Sequence, residues 1–297
     1  MVENKIVGQG TNLLKYINCI AHNSSEGQLL VGGNYTALID CGMAFCSGET
    51  IRNVKNALGD RALDYILMTH THYDHIGALP FFRETWPRLR TVTSETGAAV
   101  LLKDTPRKVI RELSAVAMRE QNITSDLVYD DNAFHADITV KDGDSIPLGG
   151  LTAVVVETPG HTRDSLCYHI PELDLLILNE TPGVLMPDGT IYPCFLTSYS
   201  DTINSIEKCR KIGCNNLALP HRGIASKEDT DGFFEKAIAS NAACRDFILI
   251  MKDIPEEEQL ELFYKEYSSD VLLKYQPKDA FYANARATIA CVCRNKF

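Results

Sequence analysis

The chain of 297 residues lacks the features that mark several classes of protein. It has no internal repeat, no CxxC pair among its ten cysteines and no apolar run of the roughly 18 residues that cross a bilayer. Its N-terminal segment does not show a basic stretch followed by an apolar one, the pattern of a secretory signal. We therefore expect a cytoplasmic protein with reduced, mostly buried thiols and no membrane partner.

Positive charge is also in short supply. Lysine and arginine number 29 against 39 aspartates and glutamates, which gives a formal net charge of −10. An acidic chain without a basic run does not match the charge of a phosphate backbone or of an anionic lipid surface. We expect a small-molecule substrate and no nucleic-acid partner, and the sequence leaves a homodimer open.

What the chain does contain is the ordinary composition of a globular protein, with 45% hydrophobic and 23% charged residues. Short β-rich runs lie at 28–31, 35–40 and 64–69, and a helical pattern covers 47–58. The run 64–69 is almost continuously apolar, which predicts a strand buried on both faces. In α/β sheets, ligands gather where such strands end.

The pattern changes near residue 226. Before that point predicted strands alternate with turns and helices, and after it the sequence favours helices alone. We predict a sheet-based domain over residues 1–225 and a C-terminal helical cap over residues 226–297 that packs on it. The later strands are predicted at 151–157, 168–170, 175–178 and 217–219, and the helices of the cap at 229–251, 255–266 and 279–293.

The densest cluster of potential metal ligands follows the buried run 64–69. It consists of His70, His72, Asp74 and His75, four ligands within six residues. Neutral imidazole and carboxylate suit zinc, iron and manganese. His70 and His72 alternate, so they can point the same way from an extended segment. Asp74 and His75 turn in another direction, as two neighbouring metal ions would require.

Two further histidines occupy similar positions. His161 and His221 each follow a predicted strand directly and have glycine and proline beside them, where the backbone can turn sharply toward a ligand. We interpret His22, His135 and His169 as structural or exposed. The ten cysteines are not assigned to catalysis, because a metal site needs no serine or cysteine nucleophile.

These motifs, taken in order, resemble the metallo-β-lactamase superfamily. They are His-x-His-x-Asp-His at 70–75, Asp-Gly-Asp-x-Ile-x-Leu-Gly-Gly at 142–150, Thr-Pro-Gly-His-Thr at 158–162 and His-x-Gly at 221–223. The resemblance covers roughly residues 5–225. It implies an α/β fold, a four-layer αββα sandwich with the site at the edge between two sheets and, here, a C-terminal helical extension. It also implies one metal ion bound by His70, His72 and His161 and another by Asp74, His75 and His221.

One position departs from the family pattern. The superfamily usually carries a bridging aspartate after the strand that follows Thr-Pro-Gly-His, and this chain has Glu180 there. Glutamate keeps the carboxylate and adds roughly 1.5 Å of reach. Glu180 is expected to be a metal ligand that bridges both ions or binds only one. The alternative is a carboxylate that misses the metals and pairs with a cation.

The resemblance implies two divalent metal ions, zinc or iron with manganese also open, and a hydroxide activated by them. Asp74 would hold one ion and orient this hydroxide as a catalytic residue. The resulting hypothesis is a hydrolase of a small-molecule thioester, ester or lactone, by similarity to the glyoxalase II-like branch and to the thioesterase of alkylquinolone signalling. The alternatives are a phosphodiesterase, an iron-dependent redox enzyme similar to persulfide dioxygenases, and a regulatory protein that keeps metals without turnover.

Substrate contacts are predicted at three side chains beside the ligands. Tyr73 would donate a hydrogen bond to a developing oxyanion or would simply pack. Arg163 and Arg222 would anchor a substrate carboxylate or phosphate, because guanidinium binds such groups in a bidentate manner, or they would be solvated surface side chains.

Overall fold

The computed structural model describes residues 6–7, 15–21, 25–124, 126–270, 272–276 and 278–294. Its first sheet has seven strands whose spatial order follows the chain order. The first four are antiparallel, and the last four pair in parallel. The strands are β1 (Ile6–Val7), β2 (Lys15–Asn18), β3 (Gln28–Val31), β4 (Thr36–Ile39), β5 (Tyr65–Leu67), β6 (Arg90–Ser94) and β7 (Ile138–Val140).

The second sheet has six strands and is built from the later part of the chain. Its strands, from one edge to the other, are β8 (Ser145–Pro147), β9 (Thr152–Glu157), β10 (Leu166–Ile170), β11 (Leu175–Ile177), β14 (Asn216–Leu219) and β15 (Gly223–Ile224). β11 and β14 pair in parallel, and the other neighbours are antiparallel. A small hairpin, β12 (Val184–Leu185) with β13 (Ile191–Tyr192), lies between β11 and β14 in sequence.

The two sheets pack face to face and carry helices on their outer faces. Residues alternate along each strand, so Leu166 and Tyr168 of β10 join the core between the sheets while Cys167 joins the outer layer. The helices over the first sheet are α1 (Ser47–Leu58), α2 (Tyr73–Ile76), α3 (Leu79–Thr85), α4 (Glu95–Leu101) and α5 (Asp104–Glu120). The second sheet is covered by α6 (Tyr199–Ile212) and the start of α8 (Phe233–Ile250). The layers are therefore αββα.

The C-terminal part of the described chain is helical and has its own apolar core. It contains α7 (Lys227–Thr230), α8, α9 (Glu256–Tyr267), α10 (Leu272–Tyr275) and α11 (Lys278–Arg294). Phe263 and Phe281 are fully buried where α8, α9 and α11 meet, together with Phe195 and Tyr192 of the sheet-based part. Burying one such ring stabilises the fold by about 1.5–3 kcal/mol. None of the described helices is long and apolar enough to cross a membrane.

Most predicted elements lie within a few residues of their positions in the structure, and helix 47–58 has the predicted bounds. The predicted helix 229–251 is instead divided into α7 and α8. Gly232 lies between them with φ +71°, a left-handed conformation that a continuing helix does not allow. The short helices α2 and α3 and the hairpin of β12 and β13 were not predicted, since four to seven residues carry little periodic signal.

The boundary predicted at residue 225 remains a prediction. Phe233 and Ala237 at the start of α8 pack on the second sheet, whereas Cys244 and Ile248 further along pack among the C-terminal helices. Helix α8 thus belongs to both cores and joins the predicted cap to the sandwich.

Candidate metal centre

The loop after β5 changes from extended chain to helix within the ligand motif. His72 has extended backbone angles, with ψ 153°, and α2 begins at the next residue. His70 and His72 therefore leave an extended segment, whereas Asp74 and His75 leave the first turn of a helix. The short helix thereby separates the four side chains into two pairs.

The first group of potential ligands joins both sheets. One ring nitrogen each of His70, His72 and His161 lies within 4.8 Å of the other two, and His161 Nε2 is 3.1 Å from His72 Nδ1. Burial lowers the pKa of all three histidines, that of His161 to about 4. The three rings are therefore neutral at pH 7 and have lone pairs for a metal ion.

The second group is formed by Asp74, His75 and His221. Asp74 Oδ2 lies 3.8 Å from His75 Nε2 and 3.9 Å from His221 Nε2. Burial alone would lower the pKa of His221, but the carboxylates of Glu180 and Glu26 outweigh it and raise this pKa to about 9. The negative charge that favours a proton here would equally favour a cation.

Glu180 lies between the two groups. Its Oε1 is 2.6 Å from His75 Nε2 and 3.1 Å from His221 Nε2, and its Oε2 is 3.6 Å from His70 Nδ1. Burial raises the pKa of Glu180, yet the positive charge of His75 and the hydrogen bond from His221 outweigh it and hold that pKa well below its usual range. An ionised carboxylate thus presents one oxygen to each side.

The loop that carries Glu180 is fixed by its neighbours. Asn179 Nδ2 donates to Thr158 Oγ1 at 2.7 Å, and Thr181 Oγ1 donates to the Thr158 carbonyl at 2.8 Å. Thr158 begins the turn that bears His161. These hydrogen bonds tie the position of the carboxylate to that of the histidine 19 residues before it in the sequence.

Asp40 is an orienting residue that was not predicted from the sequence. Its Oδ1 accepts from Thr69 N at 2.7 Å, and its Oδ2 accepts from Thr69 Oγ1 at 2.6 Å and lies 2.8 Å from His75 Nδ1. It follows β4 with φ +54°, a conformation that Asp tolerates better than most residues. Its position at the end of an apolar strand, two residues before Gly42, is a signal that could have identified it.

A second buried carboxylate, Glu26, orients His221 in a similar way. The backbone N–H of His221 donates to Glu26 Oε1, and this oxygen lies 3.6 Å from His221 Nδ1. His221 has φ +61°, a left-handed backbone conformation that residues other than glycine rarely adopt. The contact with Glu26 holds the backbone in this conformation. Gln28 Nε2 in turn donates to Glu26 Oε2 at 3.1 Å. Nothing in the sequence around Glu26 indicates this contact, which spans 195 residues.

The donor atoms fit metal ions because buried nitrogen and oxygen atoms converge here and some have no hydrogen bond. Among the described residues, His70 Nε2 and Glu180 Oε2 are buried without a hydrogen-bond partner, and Glu180 Oε1 is paired only with the ring nitrogens of His75 and His221. Buried polar atoms in folded proteins almost always have a partner. Five imidazoles and two carboxylates are also the donor set that zinc, iron or manganese accepts.

A cavity of about 170 Å³ opens above these groups. Tyr73 lines it, as do Met43, Tyr192 and Cys194, and so do residues of α5 and of the C-terminal helices. Arg163 lines a different cavity beside Lys141 and Asp164. Arg222 is not among the described residues that line the metal-site cavity. The structure therefore places only Tyr73, of the three predicted substrate contacts, beside the ligands.

The remaining predicted histidines lie apart from this centre. His169 is in the middle of β10, and His135 is exposed beside Asn132 and Asp137. His22 lies outside the described residues. The ten cysteines form no disulfide with one another.

The sequence matches the family described as the metallo-beta-lactamase superfamily over residues 28–181, just over half of the chain. The chain belongs to the metallo-β-lactamase superfamily. This membership and the two packed sheets with outer helices confirm the family and the fold that the motifs predict.

Three relatives in this superfamily illustrate its range. The metallo-beta-lactamase fold-containing protein ST1585 of Sulfurisphaera tokodaii is 25% identical over 67% of this chain and 72% of its own. The coenzyme F420H(2) oxidase of Methanothermobacter marburgensis is 28% identical over 59% of this chain, which is 35% of the oxidase. The atrochrysone carboxyl ACP thioesterase of Aspergillus fumigatus is 22% identical over 78% of this chain and 61% of its own.

The crystal structure of the archaeal protein ST1585 has the same fold. It superposes with a TM-score of 0.63 over 93% of this chain and 99% of that one, at 18% identity. The similarity therefore extends beyond residues 28–181 to most of the chain.

Proposed function

We propose that the protein is a dinuclear metallohydrolase that cleaves a small-molecule thioester, ester or lactone. The observation that carries this proposal is the convergence of five imidazoles and two carboxylates where strands of the two sheets end, with each ligand atom of a group within 4.8 Å of the others. His70, His72 and His161 would hold one ion, and Asp74, His75 and His221 the other. Glu180, with one oxygen toward each group, would bridge them.

Two bound divalent ions would supply hydroxide at neutral pH and polarise the carbonyl under attack. The protein residues orient the reactants. Asp74 is the most exposed carboxylate of the centre, and its free oxygen would accept a hydrogen bond from the attacking water. Burial raises the pKa of Tyr73, so this phenol keeps its proton and can donate it in a hydrogen bond to the oxyanion.

The cavity wall favours an acyl substrate over a phosphodiester. Leu113, Val184 and Leu272 provide apolar surface opposite the ligands. Apolar surface binds acyl chains by the hydrophobic effect, whereas phosphate is recognised by cationic side chains. The relative from Aspergillus fumigatus that is named as a thioesterase supports the same class of reaction.

A redox reaction at iron is the second candidate, because the relatives include the coenzyme F420H(2) oxidase of Methanothermobacter marburgensis. The donor set of histidines and carboxylates suits iron as well as zinc. Metal identity separates the two functions. A protein that contains iron and consumes oxygen with a persulfide, without hydrolysing acyl substrates, would belong to the redox class.

The test begins with metal analysis of the protein expressed without added metal. The same preparation is then assayed with a butanoyl thioester, a butanoyl ester, a lactone and bis(p-nitrophenyl) phosphate. We expect about two metal ions per chain, hydrolysis of at least one acyl substrate, loss of activity with a chelator and recovery when metal is restored. Hydrolysis of the phosphodiester alone would favour a phosphodiesterase, and two metals without any turnover would favour a regulatory protein.

The cellular setting is a further part of the proposal. Eight of the ten free cysteines are buried, and one is partly buried, which suits the reducing cytoplasm. Fractionation of cells that express the tagged protein would test this location.

A further inference from the structure

Five residues of the predicted cap form one part of the wall of the metal-site cavity. Leu272 and Gln276 lie in and after α10, and Ala280, Ala283 and Asn284 lie on α11. Leu113 of α5 completes this wall. A substrate carbonyl placed at the ligands would therefore extend its acyl group against the C-terminal helices.

The side chains of this wall define the chemistry that it can recognise. Two leucines and two alanines offer apolar contact, and the alanines leave space for atoms of a ligand. The cavity of about 170 Å³ is smaller than the roughly 300–1,000 Å³ of sites for drug-sized ligands. The wall therefore suits a short acyl group.

Gln276 and Asn284 are the two polar side chains that the predicted cap contributes to this wall, and Gln276 differs from Asn284 in having a buried acceptor without a partner in the described part of the chain. Gln276 Oε1 is buried and has no hydrogen-bond partner among the described residues. A buried acceptor left unpaired is destabilising, and native proteins seldom retain such an atom without a reason. Because Gln276 lines the cavity, a ligand that fills the cavity can supply the missing donor.

We propose that Gln276 is a specificity-determining residue that selects acyl groups bearing a hydrogen-bond donor, either a hydroxyl or a secondary amide N–H. The inference rests on the proposed hydrolase function for the reaction and on the cavity wall for the selection. The apolar side chains would contact the carbon chain, and Gln276 Oε1 would accept from the donor. A plain alkyl acyl group of the same length would bury Oε1 unpaired and bind more weakly.

The first experiment uses the full-length metal-loaded protein and N-acetylcysteamine thioesters of butanoate, 3-hydroxybutanoate and N-formylglycine, whose acyl chains have the same length. We expect kcat/KM to be about tenfold higher or more for at least one donor-bearing thioester than for the butanoyl thioester. In Gln276→Leu this preference should vanish while the rate for the butanoyl thioester is retained or rises. The matched control Asp279→Asn, an exposed position on α11 outside the cavity wall, should keep the preference.

The second experiment measures binding without turnover. In ketone analogues of the three thioesters, a methylene group replaces sulfur, so hydrolysis cannot occur. Titration calorimetry should show tighter binding of a donor-bearing analogue to the wild-type protein, and equal binding of all three to Gln276→Leu. Metal content should be the same in both proteins.

The two experiments separate the two proposals. A binding preference that depends on Gln276, without hydrolysis of any thioester, would overturn the hydrolase function and leave the selectivity of the wall intact. Hydrolysis or binding without preference for a donor, or an equal loss for all three acyl groups in Gln276→Leu, would overturn the inference about Gln276.

Discussion

The two sides of the metal-site cavity are built in opposite ways. On the ligand side, side chains are buried or half-buried and held by short polar contacts, as Asp40 holds Thr69 and His75. On the cap side, the wall is formed by leucine and alanine side chains, by Asn284 and by Gln276, whose Oε1 has no partner in the part of the chain that the structure describes. The ligand side is thus organised to fix atoms in place, whereas the cap side offers apolar surface and two polar side chains. We infer that the first determines the reaction and the second determines the substrate.

The strongest test of this contrast is His161→Ala. We expect acyl hydrolysis to fall by more than the roughly 100-fold that is typical for loss of a residue that only orients a ligand. The reason is that one ion loses one of its three histidine ligands. Metal analysis should show one ion per chain instead of two. His169→Ala, in β10 and away from the centre, is the matched control and should keep both ions. Full activity and two bound ions in His161→Ala would show that the ligand side does not determine the reaction.

A smaller change on the ligand side is Glu180→Asp. Shortening the side chain by roughly 1.5 Å should prevent the carboxylate from reaching both His75 and His70. We expect hydrolysis to fall about 10–100-fold and the second metal ion to bind more weakly, as measured by metal titration. Glu180→Gln keeps the length and removes the charge, so it distinguishes reach from charge. An increase in rate with aspartate would mean that the glutamate is not adapted to catalysis.

Asp40→Asn changes an orienting contact without removing a ligand. Asparagine tolerates the left-handed backbone at this position, but it replaces one acceptor oxygen with an amide N–H₂ group. We expect about a 10–100-fold loss of affinity for the ion near His75, with the other ion unaffected. Asp64→Asn, which changes the acceptor of the Thr36 N–H at the other end of β4, should leave both affinities unchanged. Equal weakening of both ions would indicate general damage to the sheet.

The smallest expected effect belongs to the opposite wall. Leu113→Ala removes apolar surface from α5 and should raise KM about fivefold, which corresponds to about 1 kcal/mol of lost burial. Metal content and kcat should stay at wild-type values. Val109→Ala, an exposed position four residues earlier on the same helix, is the control and should not change KM. A fall in metal content instead of a rise in KM would contradict the division of roles between the two sides.

The sequence was informative where the chemistry is local. His70, His72, Asp74 and His75 lie within one loop, and the strand before them is apolar enough to be recognised. The structure brings all seven predicted ligands together. Whether they bind metal ions remains a prediction.

The role of a residue could not be predicted from the sequence where it depends on contacts with distant parts of the chain. Glu26 reaches His221 across 195 residues, and its neighbours in the chain carry no pattern that indicates it. The place of Gln276 in the cavity wall also could not be predicted, because helical periodicity shows which residues share a face but not what that face meets. For the same reason Arg163, beside His161 in sequence, lies at a different cavity.

The predicted ligands follow the ends of strands in two different sheets. The four from His70 to His75 follow a strand of the first sheet, and His161, Glu180 and His221 follow strands of the second. Ions bound there would link the two sheets, and their binding to the folded protein would raise its free energy of unfolding. The melting temperature should then rise with the concentration of free metal. Trace-element supply during growth would thereby decide how much intact protein survives heating, independently of any substrate.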